Sequence, residues 1–567
     1  MTATSKSQGI SPRSGGEILA DGLIAQGVDT VYGVPGESFL AVLDAIHARS
    51  DRLRFVTCRQ EGGAAFMADA HGKLTGKPGV CLVTRGPGAC NASIGVHTAF
   101  QDSTPMVLLI GQVPRDHRER EAFQEVEFRH MFAPMAKWVC EVESAARLPE
   151  HLSHAFHLAQ SGRPGPVVLA LPEDILLEAA AVEDLPAAII ARPAPDASAM
   201  DRLASLLAQA ERPLVIAGGP GWSRAASAAL ATFASAHHVP VVSSLRCQDY
   251  MDNRHPLYVG DLGIAANPDV VGRVRDADLL LVIGARLGDM TTQGYTAPTP
   301  PRAAQKLVHV HPDGGELGRV FRPDLPIQAH AELFVTALAG LSSMAAPSRA
   351  RAEWCAAARA DYERLLAPPA QPGGLDLGVF MAALRDRLPA DAILTNGAGN
   401  YTAWIHKFWQ FSTYRTQLAP TSGAMGYGLP AAVAAKLVHP KRRVVAFAGD
   451  GCFLMNGQEM ATIRHYGLDP LVVVINNGML GTIRMHQERE YPGRVEATGL
   501  TNPDFAAMAA AFGFHARRLE RTADIAETLD SALAAEGPAL IECRVDPEAI
   551  TPRMTIAQLR ARSGGKA

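Results

Sequence analysis

Two short polar clusters each follow an apolar run: Gly449-Asp450-Gly451 comes after Val444 to Ala448, and Asn476-Asn477-Gly478 after Leu471 to Ile475. Such runs read as parallel strands buried on both faces. An open α/β sheet keeps its ligands at the C-terminal ends of its strands. An aspartate and an asparagine brought together there offer two hard oxygen ligands to Mg²⁺, and the glycines let backbone approach a phosphate closely. Either cluster alone would also serve as an ordinary strand-to-helix turn. The two at this separation point to an ion and a phosphate.

Other groups stand at comparable places. Phe55 to Thr57 reads as a strand that delivers Glu61 to the start of a small-residue helix, where a helix-start carboxylate is the bland alternative. The run Gly79 to Thr84 ends in Arg85-Gly86-Pro87-Gly88, with Asn91 beyond. Such a stiff and permissive turn suits a backbone lying against something flat or charged, or a tight connection. The run Thr104 to Gly111 leads to a charged loop, Arg115 to Arg120, with no evident core role, and then to Phe123-Gln124-Glu125. Further on, Pro213 to Ala217 ends in Gly218-Gly219-Pro220-Gly221, and a later strand ends in Gly284-Ala285-Arg286. A nucleotide would fit there, although a full GxGxxG is absent and a structural turn explains the glycines equally.

Positioning these groups takes strands alternating with helices throughout, the pattern of doubly wound α/β domains. A chain of 567 residues exceeds one core and suggests about three. The expected divisions are 1–185, 199–345 and 350–555, separated by the alanine- and proline-rich stretch 179–198 and a connector at 343–348. A mobile tail is expected at 556–567. Formal charge is 53 minus 57, or −4, with the basic residues dispersed, which argues against a nucleic-acid binder. Eight cysteines without a CxxC pair suggest free thiols in a reducing compartment. With neither a signal-type leader nor a membrane-length apolar run, cytoplasmic residence without a membrane role is expected.

The motifs around Glu61, Gly86-Pro87-Gly88, Phe123-Gln124-Glu125, Gly162-Arg163-Pro164-Gly165-Pro166, Met425-Gly426-Tyr427-Gly428 and Gly449-Asp450-Gly451 through Asn477 together resemble thiamine-diphosphate-dependent enzymes. The resemblance is closest to the acetolactate synthase (acetohydroxyacid synthase) large subunit and spans most of residues 15 to 555. It implies three doubly wound parallel-sheet domains: pyrimidine-binding, central and diphosphate-binding. It implies thiamine diphosphate (ThDP) and Mg²⁺, the metal held by Asp450, Asn477 and the carbonyl of Met479. Met425 becomes the apolar wedge beneath the cofactor. Gly86, Asn91, Ser422, Gly449 and Gly451 surround it, and Glu61 exchanges a proton with its aminopyrimidine ring. Phe123 and Gln124 line the reaction space. The family pattern also implies a homodimer or a dimer of dimers, in which Glu61 serves a neighbouring chain's cofactor.

The implied reaction is decarboxylation of a 2-oxo acid such as pyruvate with carboligation. Several positions depart from the family pattern. Met290 stands where an acceptor-gripping arginine is usual, and His486 replaces a tryptophan on the segment that also carries Thr482 and Arg484. Arg85 replaces a serine, and Glu37 a glycine. Arg85, Arg484 or His486 is a candidate replacement charge for the substrate. The departures keep alternatives open: an acyl-CoA-using 2-hydroxyacyl-CoA lyase or oxalyl-CoA decarboxylase, and a non-catalytic nucleotide-binding scaffold. In the central domain, Gly218, Gly219 and Arg286 are the residues that would meet FAD or an ADP moiety.

Overall fold

Apolar runs fold as the buried inner strands of three six-stranded parallel sheets, whose edges include the partly exposed Arg54–Thr57 and His515–Leu519. The computed structural model describes residues 10–342 and 346–563. The chain forms two compact units that divide between Ala191 and Arg192.

In the first unit the strands are β1 (Thr30–Gly33), β2 (Arg54–Thr57), β3 (Gly79–Val83), β4 (Met106–Gln112), β5 (Trp138–Glu141) and β6 (Pro166–Pro172). They lie in the order β2-β1-β3-β4-β6-β5. Helix α1 (Gly15–Ala25) begins at a capping box in which Ser14 and Glu17 satisfy each other's backbone N–H groups. The charged loop at 115–120 does have a packing role. Arg115 pairs with Asp174 at 2.6 Å and Glu178 at 3.1 Å, and Arg118 pairs with the buried Glu141, so the loop is tied to the strand ends by charge.

The second unit holds two sheets. The central one comprises β7 (Pro213–Ala217), β8 (Val241–Ser243), β9 (Tyr258–Asp261), β10 (Leu279–Ile283), β11 (Lys306–His311) and β12 (Leu325–Gln328), ordered β9-β8-β7-β10-β11-β12. The last comprises β13 (Ile393–Asn396), β14 (Gln417–Leu418), β15 (Val444–Gly449), β16 (Leu471–Asn476), β17 (His515–Leu519) and β18 (Ala539–Arg544), ordered β14-β13-β15-β16-β18-β17. First and last sheets therefore share one strand order, a structural repeat with no literal repeat in sequence.

The connector expected between central and last domains does not let them part into separate compact units. Asp249 accepts from the backbone N–H groups of Thr416 (2.9 Å) and Gln417 (3.2 Å), and the Gln248 N–H donates to the Gln417 side chain at 2.8 Å. Burial pushes the Asp249 carboxyl up to about 6. Of that connector, 343–345 lie outside the described residues, and Ser348 caps the helix Arg349–Glu363.

The expected mobile tail needs correction over its described part, because Ile556–Ser563 is a helix. Its apolar side, Ile556 and Leu559, is buried against Met479 and Ile550. Arg560 makes two contacts of 2.6 Å with the fully buried Glu488, holding that carboxyl down at about 2. The basic composition that reads as a solvated end answers a buried carboxylate. No helix among the described residues is long and apolar enough to cross a membrane.

Candidate active site

In the last sheet, β15 and β16 run parallel in a register that sets Gly449 beside Ile475, so both polar clusters emerge side by side. Asp450 opens the short helix Asp450–Phe453 and is 3% exposed. Its Oδ1 accepts from the Gly451 N–H at 2.8 Å. Its Oδ2 accepts from the Gly478 N–H at 2.9 Å and from Asn502 Nδ2 at 2.8 Å. All of these donors are neutral, and among the described residues no cation pairs with the carboxylate. Burial raises its pKa, and the three hydrogen bonds oppose the rise. A buried carboxylate answered only by neutral donors suits a cation.

The second cluster supplies the matching oxygens. The Met479 N–H donates to Asn477 Oδ1 at 3.2 Å, which fixes the amide's orientation. Met479 also bridges Gly499 in an antiparallel pair closed by Leu480 N–H to Thr498 (2.9 Å) and Leu500 N–H to Gly478 (2.8 Å). That pattern turns Met479's own N–H and C=O away from the partner strand. One carboxylate, one amide oxygen and one directed carbonyl form a hard-oxygen set of the kind Mg²⁺ takes, with remaining positions for phosphate oxygens or water. The residues present thus fit the ion.

Met425 lies on the facing loop with Ser422. A Cβ placed on Gly451 would stand 3.8 Å from Met425 Cε and 2.8 Å from a Leu480 methyl, so a side chain there would close the space between them. The Met425 loop is pinned behind by Gly426, whose N–H reaches Cys452 Sγ at 3.2 Å and whose carbonyl accepts from Asn456 at 3.0 Å. Its φ of +81° is one that a glycine takes without strain. Asn502, Cys452 and Asn456 were not legible as site residues. Only Cys452, directly after Gly449-Asp450-Gly451, had a local signal.

Further along, Thr482 donates to Asn400 at 2.9 Å. Arg484 is committed to Glu488 at 2.7 Å, and His486 is exposed and shares a hydrogen bond with Arg489 at 2.8 Å. Met290 is 40% exposed on the loop after β10.

The first unit gathers its own candidates at the same end of its sheet. Glu61 opens helix α2 (Glu61–Thr75), and Asn91, on α3 (Gly86–Asp102), donates to Glu61 Oε2 at 2.9 Å. Gly88 keeps the other side of the carboxylate clear, since a Cβ there would stand 3.5 Å from Oε1. Gly86 (φ +28°) backs onto Gln124 (φ +66°) so closely that a Cβ would meet the Gln124 carbonyl at 2.7 Å. Phe123 is 73% exposed. Arg85 turns away from any free role: its side chain, 9% exposed, pairs with Glu37 at 2.8 Å.

In the central domain Gly218, Gly219 and Arg286 follow the ends of β7 and β10. A Cβ on Gly219 would strike the Gly284 carbonyl at 1.8 Å, and one on Gly284 the Gly218 carbonyl at 2.4 Å. The Gly218 carbonyl accepts from Trp222 Nε1 at 2.8 Å, and the Gly219 carbonyl from the Tyr250 hydroxyl at 2.7 Å. Two turns packed backbone to backbone account for these glycines without a ligand.

Sequence comparison matches this geometry. The thiamine pyrophosphate enzyme N-terminal binding domain matches residues 13–131, the central domain 200–338 and the C-terminal binding domain 397–543. The chain belongs to the thiamine pyrophosphate enzymes, and it is an enzyme whose cofactor is thiamine diphosphate. Within that family it is similar along nearly its whole length to acetolactate synthases. The large subunit of Parasynechococcus marenigrum (strain WH8102) is 34% identical over 94% of this chain and 87% of its own. The isozyme 2 large subunit of Escherichia coli (strain K12) is 32% identical over 94% and 96%, and the isozyme 1 large subunit of the same strain 34% over 94% and 94%.

Proposed function

We propose that this enzyme decarboxylates a 2-oxo acid such as pyruvate and joins the remaining fragment to an acceptor carbonyl, as an acetolactate synthase does. The observation that carries the reading is Asp450, buried beside Asn477 and answered only by neutral donors. Asp450, Asn477 and the Met479 carbonyl would hold Mg²⁺, which would supply the positive charge that a diphosphate needs there. When bound, ThDP supplies the electron sink that receives the pair released as CO₂ departs.

The chain's own residues do the rest. Gly449 and Gly451 admit the diphosphate to the backbone. Met425, over Gly451, would pack against the cofactor. Asn91 engages Glu61 Oε2, so Oε1 is the oxygen that gives and takes the aminopyrimidine proton. Phe123 and Gln124 border the space where the fragment meets its acceptor. Glu61 serves the cofactor of a second chain, so the smallest working form is a homodimer. The eight cysteines, all free, support a reducing, cytoplasmic setting.

Purified protein supplied with ThDP, Mg²⁺ and a panel of 2-oxo acids and acyl-CoAs tests the reading. Mg²⁺-dependent CO₂ release from pyruvate with acetolactate as product is expected. Turnover of acyl-CoA substrates with every 2-oxo acid left intact would replace it with the acyl-CoA lyase. On the packing of Gly218, Gly219 and Gly284 the central domain is structural, and the same preparation is expected to lack flavin absorbance between about 350 and 450 nm, where oxidised isoalloxazine absorbs. A yellow protein releasing FAD on denaturation reverses that part alone.

A further inference from the structure

Two departures from the family pattern, Arg85 and Glu37, turn out to be partners. Arg85 follows β3 and Glu37 follows β1, and the Arg85 Nη2 to Glu37 Oε1 distance is 2.8 Å. The same guanidinium reaches the loop after β4, where Nε donates to the Phe123 carbonyl at 3.3 Å. It also approaches the end of β6, where Nη1 lies 3.8 Å from Glu173 without forming a hydrogen bond. One buried side chain thus spans the loops after four adjacent strands. Ser38 and Thr84, the neighbours of Glu37 and Arg85, join the first two loops again through hydroxyls 2.9 Å apart.

We propose that Arg85 and Glu37 form a positioning pair that sets the Phe123-Gln124 loop, and thereby governs whether the decarboxylated fragment is joined to an acceptor or simply protonated. This rests on the assignment of Phe123 and Gln124 to the reaction space. Gln124 holds φ at +66°, an unfavourable conformation for a residue with a Cβ, pressed against Gly86. Surrounding contacts must impose such a backbone. The Arg85 bond to the preceding carbonyl is one such contact, and Glu37 orients the guanidinium that makes it. A guanidinium committed in this way does not grip a substrate carboxylate, so Arg85 acts through the loop and not on the substrate.

The test compares the wild type with Arg85→Ser, Glu37→Gly, the double variant and Arg85→Lys. ThDP affinity, CO₂ release from pyruvate, and the ratio of ligated product to free aldehyde are measured. Each single variant is expected to lower that ratio about tenfold or more, since small misplacements of a positioning group have effects of that size or larger. CO₂ release and ThDP affinity stay within a few-fold. The double variant falls no further than Arg85→Ser alone, because Glu37 acts only through the guanidinium that is already missing there. Arg85→Lys keeps the charge but lacks the Nε contact to Phe123, and falls with Arg85→Ser. An unchanged ratio in both single variants, or losses that simply add in the double, overturns the proposal.

If even the wild type releases no CO₂ from any 2-oxo acid, the activity assignment fails instead. The pair is then judged by amide exchange in residues 118–126. Faster exchange than the wild type in each single variant, with no further increase in the double over Arg85→Ser, sustains the pair, and wild-type exchange in both single variants or additive increases in the double rejects it.

Discussion

Replacing Asp450 with alanine removes the Mg²⁺-dependent uptake of ThDP. The side chain is the sole carboxylate among the proposed metal contacts, and its neighbours at Asn477 and Met479 offer only neutral oxygens. A residue that only hydrogen-bonds a metal ligand typically accounts for about 10- to 100-fold in affinity, so loss of the charged ligand itself should exceed about a hundredfold. Asp450→Asn keeps the shape and one oxygen but not the charge, and falls between the two. Calorimetric titration of ThDP with and without Mg²⁺ reads the effect directly. Thermal unfolding of the same proteins without ligand separates it from loss of fold. That control is needed because the alanine leaves the Gly451 N–H without its acceptor, at about 1–3 kcal/mol for a donor left unsatisfied, while the Gly478 N–H and Asn502 keep Asn476 Oδ1. Metal-dependent ThDP binding of undiminished strength in Asp450→Ala would remove this residue from the site.

The parts of this arrangement that sequence reveals are those written locally. Strands β15 and β16 are legible because both faces are buried, leaving no polar residue until the ligands themselves. Glu61 is legible as the first carboxylate of a small-residue helix. Partners reached across the fold are not. Asn502 holds Asp450 and Asn476 with a single amide nitrogen, at 2.8 and 3.0 Å, yet it lies 52 residues beyond the aspartate in an irregular Asn-Pro-Asp stretch. Arg85 and Glu37 each look like a lone exception until strand order places their loops side by side. Arg560 reads as part of a basic end, because nothing in its own neighbourhood announces the buried Glu488. The common strand order of the first and last sheets is likewise invisible in residue identities, since many apolar sequences build the same buried strand.

Changing Glu61 to glutamine should leave ThDP bound and turnover lowered by about 10²- to 10⁴-fold, the range expected for loss of a positioned proton-transfer group. The amide is nearly isosteric, and its carbonyl can still accept from Asn91, now 2.9 Å from Oε2, so position is largely kept. What disappears is the capacity of Oε1 to take up and return a proton. The discriminating measurement is hydrogen–deuterium exchange at the reactive thiazolium carbon of the bound cofactor, which reports activation before any substrate is chosen. It should slow in Glu61→Gln in step with turnover, while the calorimetric affinity for ThDP changes little. Asn91→Ala gives a graded comparison: the acid is retained but loses the donor that assigns one oxygen to orientation and the other to chemistry, so exchange slows less than in Glu61→Gln. A Glu61→Gln protein that exchanges this proton at the wild-type rate would show that activation comes from another group, even if the cofactor binds where Asp450 and Asn477 place it.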